Sequence, residues 1–202
     1  MASTASRIDI YNMALGFVGT RTIASPNEKV PEAIQCELYW DRARRAALRD
    51  YPYSFAQRRV RLAEKPMDDV YDAEWLYAYG LPAGCLKVHD VHDGRSGRLY
   101  RNAWRVASTG TELVVLTRQP LAMADCTIDV ENVGMWDELF VMAMARKLAA
   151  LVCVPLLKNN QAKLQELEQL YQMAIPKADG QDASEREEEP RMDSWIAARR
   201  SW

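Results

Sequence analysis

Two histidines three residues apart, His89 and His92 in the run HDVHD with Asp90 and Asp93, form the only ligand-like cluster in the sequence. On a regular strand, residues three apart point to opposite faces, so a metal shared by this pair requires a turn between them. Taken on residue type alone, they read as polar groups of a turn or surface. Neither histidine is accompanied by a Ser or Cys in an elbow such as GxSxG, so no nucleophilic triad is expected. Gly94 and Gly97 in HDGRSGR lack the P-loop lysine and its strand-to-helix setting, and they read as a hairpin turn. Glu131, Asp137 and Glu138 are the acids from which a cell-wall hydrolase would draw its carboxylate pair. A loop position and a helix start account for all three. The expectation is therefore no catalytic residue, no metal ligand and no cofactor.

What remains are residues suited to holding surfaces together. From Val30 to Ala56 the chain reads VPEAIQCELYWDRARRAALRDYPYSFA, a long two-faced helix that runs into an aromatic corner. Ala33, Cys36, Trp40, Ala43 and Ala47 recur at threes and fours and share an inner face, widened by Tyr39 and Ala46. The alanines predict a seam where another helix approaches closely. Arg42, Arg45 and Arg49 follow the same spacing on the far side, with Asp41 expected to pair with Arg45 four residues on. That arginine face reads as a subunit contact, with solvent or DNA phosphate as the other possible neighbours. Pro52 disfavours helix at Tyr51, so the chain turns there and leaves Tyr51, Tyr53 and Phe55 to plug a structural corner.

The elements that must position these residues follow from periodicity. Ser6 caps a first helix with Asp9 in a capping box, its inner stripe is Ile8, Tyr11, Leu15 and Val18, and Gly19 ends it. After Ala56 the period changes from three-and-four to two, and an antiparallel meander of about five or six strands is expected before Val130. From Trp136 the helical period returns in a helix apolar over much of its circumference, ended or kinked at Pro155. Its central Arg146 and Lys147 argue for a buried helix and against a membrane span. Leu164, Leu167, Tyr171 and Ala174 mark a last helix, closed at Pro176. From Asp179 the chain turns acidic and nearly free of apolar residues, which predicts a solvated linker. It ends in RMDSWIAARRSW, where Trp195, Ile196, Arg199, Arg200 and Trp202 are candidates for docking on a partner.

The fold class expected is α+β, with helices from both ends of the body (1–56 and 135–178) forming one antiparallel bundle. Residues 57–134 are an inserted sheet domain, and 179–202 a linker plus docking segment. Four separated cysteines without a CxxC pair predict reduced core thiols. Twenty-six basic against 28 acidic residues give a net charge of -2, no global pull toward nucleic acid. The opening MASTASRID shows no apolar signal core, which predicts a product of the cytoplasm.

Several of these stretches, in this order, resemble the tail tubular protein A family, the head-to-tail adaptors of short-tailed bacteriophages. Ile8, Asn12, Ala14, Leu15, Val18 and Gly19 fill its opening helix motif. Tyr39, Arg42, Ala43, Arg44, Leu48, Tyr51, Pro52, Tyr53, Phe55 and Ala56 fill the second, although Tyr53 stands where the family often has Trp. YAYGLPAGCLKV resembles its tyrosine-rich strand, and LFVMAMARKLAALVCVPL its apolar helix. The resemblance runs from about Ile8 to Ala178. It implies a structural virion protein of the tail connector, made in the host cytoplasm. It also implies a twelvefold ring with two complementary sides per subunit, bound to the portal protein and to a tubular protein B-like tail nozzle. Viral DNA would slide through such a ring without specific binding, and no membrane is involved. A peptidoglycan hydrolase and a DNA-binding accessory protein are the alternatives.

Overall fold

A computed structural model describes residues 4–66, 75–94, 103–158 and 160–184, with side chains described as far as Ile175. The element order is mixed α+β: helices α1 (Arg7–Val18) and α2 (Pro31–Asp50), strands β1 (Gln57–Arg61), β2 (Ala63–Lys65), β3 (Tyr77–Gly80), β4 (Cys85–His92), β5 (Trp104–Ser108), β6 (Leu113–Thr117) and β7 (Met123–Ile128), then α3 (Glu138–Leu156) and α4 (Gln161–Ser184).

Local chemistry sets the helix ends. Ser6 accepts from the Asp9 backbone while the Asp9 carboxylate accepts from the Ser6 N–H, the reciprocal capping box expected of α1. Gly19 closes it in the left-handed region at φ 85°. Asn12 then ties the following loop to α1, donating to the Ile23 carbonyl at 3.0 Å and accepting from the Ile23 N–H at 2.9 Å. Pro31 starts α2, where its missing N–H costs nothing. Tyr51, extended ahead of Pro52, ends it.

One large core gathers the helices. Ile10, Tyr11, Leu15, Trp40, Leu48, Phe140, Met144, Leu148 and Leu167 are all buried in it. Helix α3 packs on α1, α2 and α4. It is long and apolar enough by composition to cross a membrane, the one such helix among the described residues. Its charges are nevertheless met by the protein's own groups: Arg146 donates to the Leu170 carbonyl at 3.2 Å, and Lys147 reaches Asp50 at the surface at 3.2 Å.

The sheet region departs from a single meander. There are two antiparallel sheets, one in the order β1-β7-β4 and one in the order β2-β3-β6-β5. Periodicity locates strands but carries no partner information, so the pairing of β1 with β7 across the whole region was not legible locally. Leu62, Tyr79, Val91, Val115 and Ala124 form a second core that draws on both sheets, while Leu86 and Ile128 carry the first sheet onto the helical core. The β5–β6 hairpin turns between Ser108 and Leu113, with Gly110 at φ 90°. Helix α4 continues past Pro176 to Ser184, beyond both the expected stop and the break placed at Asp179. Proline's fixed φ suits a helix, and its cost there is one lost hydrogen bond plus crowding of the preceding turn.

Candidate functional site

The outer face of α2 carries an exposed stripe of two kinds of residue. Ile34 and Leu38 are 55% and 58% exposed in the first half of the helix. Arg42, Arg45 and Arg49 continue the same stripe, all exposed. Apolar side chains left in water beside arginines have the composition of a contact surface. The expected Asp41–Arg45 pair does not form. Asp41 instead accepts from Arg44 Nη1 at 2.6 Å, and Arg45 Nε donates to Asp129 Oδ2 at 2.8 Å.

Arg44 is the residue that spacing concealed. It is buried, and its guanidinium grips Asp129 with Nε and Nη2 at 2.7 and 3.0 Å, with Glu131 at 3.5 Å from Nη2. Such a fork supplies two parallel charge-assisted bonds and fixes an orientation. Asp129 follows β7, and its own N–H donates to the Gly84 carbonyl at 2.8 Å, so this cluster clamps α2 to the end of the first sheet. Burial pushes the Asp129 carboxyl up, but the bonds and charges of Arg44 and Arg45 outweigh it and hold it below the usual carboxylate range. The one advance signal was Arg44's place beside the inner stripe.

Behind the stripe runs a row of rings. Tyr11 meets Trp40 edge-on at 5.2 Å, Trp40 stacks on Trp136 at 5.7 Å, and Trp136 meets Phe140 at 4.8 Å. Phe140 then contacts Tyr53 at 4.8 Å and Phe55 at 5.2 Å, and Tyr51 packs on Tyr53 at 4.9 Å. The corner after Pro52 is thus continuous with the helical core. Trp136 donates from its indole N–H to the Val130 carbonyl at 2.9 Å. Aromatic pairs of this geometry add about 0.5–1.5 kcal/mol each beyond their area.

His89 and His92 fall on one face of β4, contrary to the alternation expected of a regular strand. A register irregularity between Val88 and Asp90 resets the pleat. His89 Nε2 lies 2.8 Å from Thr127 Oγ1, which also accepts from Gln57, and His92 Nε2 lies 3.4 Å from Asp125 Oδ1. Arg59 grips the same Asp125 at 2.8 and 3.2 Å. These are cross-strand polar pairs in a row. Among the described residues no three His, Cys, Asp or Glu side chains are grouped to hold a metal ion.

Asp137 caps α3, accepting from the Phe140 N–H at 2.6 Å, while Glu131 and Glu138 are exposed. The four cysteines are free thiols, Cys36, Cys126 and Cys153 buried and Cys85 partly so. Burial pushes the Cys36 thiol up to about 12. A groove of about 1050 Å³ opens between α2, α3 and α4, where Tyr39, Leu151, Val154, Leu164 and Met173 meet Glu168 and Lys147. Trp195, Ile196, Arg199, Arg200 and Trp202 lie outside the described residues. Compared with known proteins, the chain matches no protein-family model and no curated protein at a significant level.

Proposed function

We propose that this chain is a structural adaptor that assembles with copies of itself and with neighbouring virion parts, joining a portal to a tail and lining a channel for DNA. The observation that carries the reading is the outer stripe of α2, where exposed Ile34 and Leu38 continue into Arg42, Arg45 and Arg49. A ring needs two different, complementary surfaces on each subunit. The α2 stripe supplies one, and the arginine-rimmed, apolar character suits a contact that is desolvated on assembly. The family resemblance of the opening helix, the α2 region and the apolar helix supports the same reading. In this account residues 1–56 and 135–178 act as one helical bundle. The two sheets are an insertion that faces the tail, and the C-terminal docking residues reach the portal.

The test is assembly. Mixed with its portal protein, the wild-type chain enters a closed oligomer of about twelve copies. Leu38→Glu combined with Arg42→Glu, both at exposed positions, leaves thermal unfolding unchanged and abolishes that oligomer. A double variant that assembles like wild type overturns the assignment of this stripe.

A further inference from the structure

The groove between α2, α3 and α4 is an apolar surface with nothing of the described chain in it. Val154 and Met173 are 40% and 57% exposed there, beside partly buried Tyr39, Leu151 and Leu164. Its polar side is nearly neutral, made by Gln165, Gln169 and Gln172 with Glu168, while Lys147 is drawn off to Asp50. Helix α4, Gln161–Ser184, forms one wall, and residues 185–202 follow it in the sequence.

That remaining stretch has two parts of opposite character. From Glu185 to Arg191 the sequence is EREEEPR, with no large apolar side chain, and it is followed by Met192, Trp195, Ile196 and Trp202. A tryptophan or other large ring needs roughly 150–250 Å² of cover. From Ser184 back to Glu168 along α4 is about 24 Å at 1.5 Å per residue. Residues 185–194, extended, span roughly 33 Å. The tether is long enough to fold back and too polar to fill the groove itself.

We propose that this groove seats the C-terminal segment of the same chain, Trp195 and Ile196 on its apolar floor and Arg199 and Arg200 toward Glu168. The same-chain occupant follows from tethering: a short connection holds its end at an effective concentration on the order of 1 mM, above any second copy at micromolar levels. The aromatic anchors are then covered before assembly and must leave the groove to bind elsewhere. The inference stands independently of the ring.

Photocrosslinking of the full chain tests it. With Trp195→p-benzoylphenylalanine, irradiation and peptide mapping should join residue 195 to peptides carrying Val154, Leu164 or Met173. In a mixture of isotopically light and heavy chains the adducts should stay unmixed. Val154→Glu and Met173→Glu, both at exposed positions, should each lower the adduct at least fivefold with unchanged circular dichroism and melting. Adducts on the outer α2 residues Ile34, Leu38, Arg42, Arg45 or Arg49, mixed light–heavy adducts, or an adduct insensitive to both groove variants would overturn the proposal. A chain that gives no groove adduct yet still assembles with portal overturns this inference alone and leaves the adaptor reading intact.

Discussion

Arg44 shows how much one side chain can decide when its charge is taken out of water. Buried on α2, it is tolerable only because Asp129 meets it with both oxygens and Asp41 takes a third donor. Removing one member of a buried pair strands the other, at a cost of about 3 kcal/mol. Asp129→Ala should therefore lower the urea-unfolding free energy at pH 7 by that amount. Because the folded carboxyl sits below its usual range, its contribution is present above the unfolded value and disappears as pH falls through the folded one. The gap between wild type and variant should narrow below about pH 4. Asn12→Ala removes both bonds to Ile23 and should cost roughly 1–3 kcal/mol, read by the same titration. Legibility at this scale followed distance along the chain. The Ser6–Asp9 box was plain because its partners are three residues apart. Asp129 lies beyond two sheets' worth of strands from Arg44, so helical spacing paired Asp41 with the wrong arginine.

Among the elements, α3 holds the helices together, and its seam with α2 is set by small residues. Ala43 and Ala47 are fully buried on the face from which Trp40 stacks on Trp136. Ala47→Leu overfills that approach and should destabilise by about 2 kcal/mol, visible as a lower melting temperature without loss of helical circular dichroism. Helix faces were readable because a period of 3.6 repeats over many residues, as Leu167, Tyr171 and Ala174 show by being buried on α4 as spaced. The end of α4 was not, since a proline signals strain but not whether packing elsewhere outweighs it. That strands fill the stretch between Ala56 and Val130 was also readable, from the change to a period of two. Their division into two sheets was not, because β1 pairs with β7 across more than sixty intervening positions. The shared face of the histidine pair was not legible for a smaller reason: one irregularity in β4 interrupts the alternation of a regular strand.

For the whole molecule, the question is what the leftover surfaces are for. Apolar side chains are left in water on the α2 stripe and in the α2–α3–α4 groove, and also at Leu76, Leu113 and Leu121 of the sheet region. Against an acidic facing surface, which the proposed contact requires, a stripe that mixes leucine, isoleucine and arginine binds fastest at low ionic strength, since its charges steer encounter within about 10 Å of screening length. Assembly should accordingly slow as salt rises from 50 to 500 mM, followed by light scattering, while the final mass changes little. The proposed adaptor role rests on a resemblance of ordered motifs and not on any reacting group, since composition alone points no further than an α+β domain with a polar tail. Its most direct test is the mass of the purified full chain mixed with portal protein, by native mass spectrometry. The account predicts a single closed assembly with about twelve copies of this chain on the portal, lost in the Leu38→Glu, Arg42→Glu variant. A chain that stays monomeric and unbound beside the portal would contradict it.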